Sequence, residues 1–589
     1  MIQQAEKKYN PKELEKRIQE LWIKNKAYEK TKEHCQGGKN YYFIDGPPYT
    51  TGYIHLGTAW NKVLKDTLLR YRRMQKFNVR DQAGFDMHGL PIEVQVEKSL
   101  GITDKRQIEE MGIDGFINKC RQFSLDFQKK MEDQFKRLGV WLDWDNPYLT
   151  IKNDYIESEW WTLSKAHEKG LLIQSERVLT WCPRCQTALA EAEVEYWEES
   201  DPSIYVRFPL VGKQNESILI WTTTPWTLPA NLAAAVNPEF IYARVMIKTK
   251  NKKEVLILLE ERIEDVMALI GCKKYDILEL IGGSQLVGLE YHHPFMQEIE
   301  YHQDIEGDWI HKVLLSDTVT EEYTGIVHIA PGHGPEDFEI GKEYDIPPFC
   351  PVTEDGKFSE EVGRYAKISL KKGNEIIIQE LKRKNLMLFD DEISHRYGHC
   401  WRCKTPVIYR ATDQWFLKVT EIKDEMLEEI ADISWYPDWA GSSRMRDWVS
   451  NARDWCISRQ RYWGTPLPVW KCECGEIKVV GTVGELEKGN NYTEDMDLHR
   501  PWIDNVTFSC PKCDKVLTRV PDVLDVWFDS AVCAWAQLGF PKDKSEFQKW
   551  WPCKWITEAH DQTRGWFYSQ LGAGVLAFDE IPYKSVLMH

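Results

Sequence analysis

Apolar and polar positions alternate along the chain between short apolar runs and stretches of helical spacing. Leu14, Ile18, Leu21 and Trp22 recur at three- and four-residue intervals, so Pro11 to Lys26 is expected as an amphipathic helix. Aromatic and β-branched residues from Tyr41 to Ile44 predict a buried strand, Gly46-Pro47-Pro48 ends it, and Val63, Leu64, Thr67, Leu68 and Tyr71 give the stretch from Ala59 to Arg73 a helical period. His55 and Gly57 stand where that helix begins. Its first N–H groups can meet an anion there, or His55 simply caps the helix. A second strand-to-loop transition reads Ala83-Gly84-Phe85-Asp86-Met87-His88-Gly89-Leu90-Pro91-Ile92-Glu93. Two such loops from adjacent parallel strands converge at the carboxyl ends of a doubly wound α/β sheet, where Asp86 is either a helix cap or the partner of an ammonium group. Farther on the period becomes that of strands: Ser203 to Phe208, Ser217 to Trp221, Ile241 to Ile247, Val255 to Leu259 and Ile326 to Ile329 predict a small β-barrel.

Composition narrows the class. With 589 residues, 28% charged and 42% hydrophobic, the chain is ordinary globular material, and its length suggests about three or four domains. Met1 to Glu20 is polar and lacks the apolar centre of a signal peptide, and no run approaches ~18 apolar residues, so a cytoplasmic protein without membrane contact is expected. A net charge of −17 excludes a protein that coats nucleic acid indiscriminately. A nucleic-acid partner would need a local patch, for which Arg70, Arg72, Arg73 and Lys76 are candidates unless they are a solvated helix face.

Cysteine spacing adds organisation. Of 15 Cys, eight lie in short pairs: Cys182/Cys185, Cys400/Cys403, Cys472/Cys474 and Cys510/Cys513. Without a secretory signal, four thiolates at such spacings favour tetrahedral zinc over disulfides, giving two structural sites. The last two pairs are close enough for one ribbon. The first two can meet only if the residues between them leave and return as an insertion. The expected domains are therefore 1–194, the first half of an interrupted domain with the start of a zinc knuckle, then an inserted domain at 195–392. The knuckle returns with a connecting region at 393–470, a zinc ribbon occupies 471–519, and the second half of the interrupted domain covers 520–589.

The motifs converge on one family. Tyr41 through Thr58, with His55-Leu56-Gly57-Thr58 after the Gly-Pro-Pro turn, resembles the His-x-Gly-His signature of class I aminoacyl-tRNA synthetases. Thr58 stands in place of the second His; its hydroxyl can donate one hydrogen bond to a phosphate but cannot become a cation. Gly84 through Glu93 and Asp561-Gln562-Thr563-Arg564-Gly565-Trp566-Phe567 resemble the isoleucyl branch of the isoleucyl, valyl and leucyl subgroup. The resemblance implies a Rossmann-like doubly wound parallel-sheet catalytic domain, interrupted by a β-barrel-like editing domain and zinc-binding insertions. It implies that His55, Gly57 and Thr58 hold ATP with Mg2+, that Asp86 binds the α-amino group and that Glu558 binds ribose. Gln562 closes on the amino acid, while Gly46, Pro47, Trp527 and Trp566 form an apolar slot. Trp221 through Asn231 and Gly325 through Phe338 resemble the subgroup's editing site, which implies Asp337 as the ammonium ligand and Thr222, Thr223, Thr224, Thr227 and His328 as pocket residues. Arg459 and Arg461 offer charges for substrate or acceptor stem, or structural ion pairs.

Activation of isoleucine with ATP, transfer to tRNA(Ile), hydrolysis of misactivated valine and a monomeric state are the implied function. The same subgroup's valyl or leucyl activity is the alternative, and a non-catalytic, zinc-dependent nucleic-acid-binding protein is the reading from a different class. The chain stops at His589, before the family's Lys-Met-Ser-Lys-Ser loop and anticodon domain, so a fragment is expected.

Overall fold

A computed structural model describes residues 8–249 and 252–589; Met1 to Lys7 of the polar amino-terminal stretch lie outside the described residues. The chain forms two compact units, residues 1–174 with 415–589 and residues 175–414.

The first unit is built on parallel strands. Asn40–Tyr42 pairs with Asn78–Arg80, and Gln82–Phe85 pairs with Asp143–Leu149. A parallel bridge from Phe43 to Trp555 leads to Ile556–Glu558, which pairs with Ser585–Met588, itself paired with Ser434–Tyr436. Alternation along the first strand covers both faces. Tyr41 and Phe43 pack with Leu69, Met131 and Phe135, whereas Tyr42 and Ile44 pack with Trp535, Phe567 and Leu571. A parallel sheet needs apolar cover on both sides, and here it has it. A small antiparallel sheet (Val469–Lys471, Ile477–Val479, Phe508–Ser509, Val516–Arg519) carries the second Cys quartet.

Two expectations change in this unit. The helix after the Gly-Pro-Pro turn runs Leu56–Met74, but its buried face is Lys62, Lys65, Leu69 and Arg73, while Val63 is 46% and Tyr71 53% exposed. The period was legible and the phase was not, because buried carboxylates draw the charged face inward. The amino-terminal helix Pro11–Asn25 buries none of its residues, although Trp22 meets the edge of Trp141 at 5.1 Å.

The second unit holds a six-stranded sheet in the order Tyr275–Gly282, Ile241–Thr249, Lys252–Leu259, Glu216–Thr222, Val194–Pro209, Met387–Cys400. Beside it, Val313–Leu315, Ala233–Val236 and Ile326–Ile329 form a three-stranded sheet. Its five predicted runs all fall within strands. Inward residues such as Tyr205, Leu219, Val245, Leu256 and Leu258 make its core.

Candidate active sites

The first site grows from the loop that ends the Asn40–Tyr42 strand. His55 is the N-cap of the Leu56–Met74 helix, and its Nδ1 accepts the N–H groups of Gly57 at 3.1 Å and Thr58 at 3.4 Å. The capping reading of His55 therefore holds in this structure, and a phosphate at those donors would have to displace the imidazole. Beneath the loop lies a charge cluster that sequence reasoning missed. Asp45, wholly buried, pairs with Lys62 and, at 3.0 Å, with Lys65; Lys65 reaches Glu558 at 2.6 Å, and Asn61 donates to the other Glu558 oxygen. Burial opposes ionisation of Asp45, but Lys62 and Lys65 hold its carboxyl below the usual range. Burial lowers the Lys62 ammonium to about 8. Glu558 packs so closely on Gly46 that a Cβ there would sit 2.3 Å from its Oε1, the only physical reason visible for glycine at that position.

Asp86 lies beside this loop. Its N–H donates to the Pro48 carbonyl at 3.1 Å, and its carbonyl accepts the Thr50 N–H at 3.1 Å, so the two strand-end loops do converge. The Asp86 side chain is buried at 2% exposure; the backbone N–H groups of Met87 and His88 face its carboxylate, and its Oδ1 has no partner. Asp529 and Glu159 are buried nearby, with Asp529 Oδ1 and both Glu159 oxygens also unpartnered. Burial first, and the Asp529 charge second, push the Asp86 carboxyl well above the usual range. Three acids without a cation make a site that favours one. Around them Trp566 is 3% exposed and donates to the Ser530 carbonyl at 3.0 Å, while Trp527, half-buried, keeps its indole N–H unpartnered. Gln562 Oε1 accepts the Trp566 N–H at 2.7 Å, and Gln562 and Trp527 both crowd Gly565.

The arginine candidates are structural. Arg461 is buried against Glu93 and Glu97, and Arg459 pairs with Asp525 at 3.1 Å. Arg73 is buried on Asp81, Arg70 lies 3.8 Å over the Trp141 ring, and Arg72 lies 5.0 Å over Tyr41. The three arginines of that run are engaged in packing, and Lys76 is exposed.

The second site is a cavity of about 280 Å³ in the other unit, lined among others by Thr222, Thr223, His328 and Asp337. Thr227 Oγ1 meets His328 Nε2 at 3.1 Å and Thr224 Oγ1 at 3.4 Å, and Thr224 Oγ1 meets Thr222 Oγ1 at 3.2 Å. This is a chain of hydroxyls ending on an imidazole. His328 Nδ1 is buried without a partner, and burial lowers the ring to about 4, so the imidazole is neutral and can accept a hydrogen bond from a water, although it is a weak base. Asp337 Oδ2 accepts the Ala330 N–H at 2.8 Å, and burial pushes its carboxyl up to about 7. Thr320, Glu322, Tyr323 and Thr324 also line the cavity, and Tyr323 stacks on Trp221 at 3.3 Å. No motif marked them.

The family described as tRNA synthetases class I (I, L, M and V) matches residues 17–589. The chain belongs to the class I tRNA synthetases. Isoleucine–tRNA ligases of Methanothrix thermoacetophila and Archaeoglobus fulgidus are 54% and 56% identical to it over 100% and 99% of its length, each with 56% of the relative covered. The chain thus spans about half the length of the curated relatives it matches. A solved ternary complex titled as Agrobacterium radiobacter K84 LeuRS–tRNA–LeuAMS aligns with 99% of this chain and 67% of its own at 17% identity, with a TM-score of 0.44.

In this class I synthetase chain each Cys quartet gathers four sulfurs within 4.8 Å. Cys182 and Cys403 lie 3.4 Å apart, Cys472 and Cys513 3.5 Å, and Cys474 and Cys510 3.6 Å. A tetrahedron with metal–sulfur bonds of about 2.3 Å has edges of about 3.8 Å, so both donor sets could hold an ion. His293, His302 and His311 also cluster within 4.8 Å. Five of their six ring nitrogens already have protein partners: His293 the Leu228 carbonyl and Phe295 N–H, His302 the Pro229 carbonyl and His311 Nε2.

Proposed function

We propose that this chain carries the amino-acid activation site and the hydrolytic editing site of an isoleucine–tRNA ligase. The observation that carries the reading is that each compact unit holds an aspartate, Asp86 or Asp337, whose carboxyl faces no lysine or arginine. An α-ammonium group is the common feature of free isoleucine and of a misacylated tRNA end. In the first unit, one carboxylate oxygen of isoleucine attacks the α-phosphorus of ATP, pyrophosphate leaves, and the adenylate then passes its acyl group to a tRNA(Ile) hydroxyl. No enzyme-bound covalent intermediate is needed, so the residues act by positioning and by stabilising phosphate charge. Asp86 holds the ammonium, Trp527, Trp566, Gly46 and Pro47 enclose the branched side chain, and Gln562 supports the Trp566 end of the slot. His55, Gly57 and Thr58 face the triphosphate, which binds with Mg2+, and Glu558, fixed by Lys65 and Asn61, faces the ribose.

Isoleucine and valine differ by one methylene. That difference provides about 1–3 kcal/mol, and this enzyme family is the standing example of why a second sieve is required. In the second unit Asp337 anchors the ammonium of valyl-tRNA(Ile), while Thr222, Thr223, Thr224, Thr227 and His328 order a water that attacks the ester carbonyl. Zinc in both Cys quartets would hold the strands that carry them; it takes no part in either step. No described helix is long and apolar enough to cross a membrane, consistent with a cytoplasmic enzyme, and a monomer is the reading for its assembly.

The test uses the enzyme extended to the length of its relatives. Asp86→Ala abolishes isoleucine-dependent pyrophosphate exchange and leaves hydrolysis of supplied valyl-tRNA(Ile) intact; Asp337→Ala does the reverse. If both substitutions leave both activities unchanged, the assignment of the two pockets is wrong.

A further inference from the structure

A line of four side chains leads out of the Asp86 pocket. Asp529 Oδ2 lies 2.6 Å from His88 Nδ1, His88 Nε2 lies 2.8 Å from His499 Nε2, and His499 Nδ1 lies 2.6 Å from Asp497 Oδ1. The residues come from three places in the sequence: the Asp86 loop, the helix after Asp525, and the insertion that holds the second Cys quartet. Asp529, His88 and His499 are each buried, whereas the Asp497 side chain is 26% exposed. Trp463 keeps the two rings in place, stacked on His499 at 4.8 Å and edge-on to His88 at 5.0 Å. At its outer end Arg121 is paired with Asp497, and its Nη2 also lies 3.3 Å from His499 Nδ1.

Counting protons fixes what this line must contain. Each of the three contacts needs one hydrogen between its heavy atoms, since two facing lone pairs repel at such distances. Two neutral imidazoles bring two. The third proton belongs to an imidazolium or to one of the carboxyls. Burial lowers His88 to about 3 and His499 to about 4, which disfavours the imidazolium. Although burial opposes it, the His499 hydrogen bonds and Arg121 keep Asp497 ionised. At the inner end burial first, then the charge of Asp525, raise Asp529. The third proton is therefore assigned to Asp529. The other charged groups facing this end are Asp86, Glu159 and Asp525, and the Asp525 charge is met by Arg459.

We infer that the Asp529–His88–His499–Asp497 line is a proton path by which isoleucine binding expels one proton from the activation pocket to the surface, with His499 as its relay and positioning residue. The inference rests on the reading of Asp86 as the α-amino site. An ammonium entering beside Asp86 and Asp529 favours Asp529 as the anion. Its proton passes to His88 Nδ1, the His88 Nε2 proton passes to His499 Nε2, and the His499 Nδ1 proton passes to Asp497, which releases it to water. One proton enters the line and one leaves. Both imidazoles end neutral with their tautomers exchanged, and the freed His499 Nδ1 lone pair then accepts from Arg121 Nη2, 3.3 Å away.

The experiment is isoleucine titration by calorimetry at pH 7.5, in buffers of different ionisation enthalpy, on the enzyme extended to the length of its relatives. The parent is expected to release close to one proton per isoleucine. His499→Phe, which keeps a ring against Trp463, is expected to bind isoleucine about tenfold more weakly, the typical effect of losing one hydrogen bond to a charged group, and to release few protons. ATP affinity should not change. His499→Gln can hold His88 but cannot exchange tautomers, so it should restore affinity without restoring proton release. Parent-like proton release in His499→Phe, or restored release in His499→Gln, overturns the path. If instead Asp86→Ala binds isoleucine as the parent does, it is the pocket reading that fails, and the two failures are told apart.

Discussion

Asp337 should cost the protein stability at neutral pH, and the cost can be worked from its surroundings. Its carboxyl is raised from 3.8 to about 7 by burial, with Glu336 adding to the rise and the Ala330 N–H and His333 opposing it. Between those two values the folded protein holds a proton that the unfolded chain has lost. Stability from this group is therefore full below pH 4 and is lost as pH rises through about 7. Roughly three pH units at 1.36 kcal/mol each set an upper bound of about 4 kcal/mol. Asp337 lines an open cavity, so screening by solvent brings the expected figure to about 2 kcal/mol. Asp337→Asn keeps an oxygen for the Ala330 N–H and removes the charge. Scanning calorimetry of the whole chain should show the transition of the 175–414 unit moving up by several degrees at pH 8 and hardly at all at pH 4. The same substitution should abolish clearance of valyl-tRNA. Parallel stability curves for parent and variant across pH 4 to 8 would refute the reasoning, since a carboxylate that costs nothing to ionise is not waiting for a cation.

Two other outcomes follow from buried charge and from sulfur. Asp45→Asn leaves Lys62 and Lys65 as buried ammoniums with only Glu558 nearby, and should destabilise the first unit by about 3–5 kcal/mol in denaturant titration, whereas Lys62→Met should cost much less because Lys65 still neutralises Asp45. Since Lys62 is lowered to about 8, the unfolded chain binds the extra proton from pH 8 to 10, and the parent should gain stability relative to Lys62→Met across that window. Elemental analysis should give two zinc ions per chain, and a chelator should lower the stability of both units; fewer than one zinc per chain would remove the metal reading.

The strand–turn–helix order, the meeting of the Cys182/Cys185 and Cys400/Cys403 pairs and the runs of strand period were legible in the sequence because they are written in local periods and short spacings. Asp86 and Asp337 could be named there, but each kept a second reading as a cap or turn residue. What the fold adds for Asp86 is the burial of its Oδ1 without a partner beside Asp529, a surrounding set by residues hundreds of positions away. The same holds for the inward charged face of the Leu56–Met74 helix. Val63 and Tyr71 have the period of a core stripe, yet Lys62 and Lys65 are buried, because Asp45 and Glu558 from two distant strand ends offset the cost of desolvating them. Arg459 and Arg461 were open in the sequence to a partner or to structural ion pairs, and the fold brings Asp525, Glu93 and Glu97 alongside them. His88, His499 and Asp529 carry no shared motif at all. A sequence reports what each residue prefers on its own, and tertiary structure decides which charges face one another, because electrostatic free energy belongs to pairs and to the solvent they exclude.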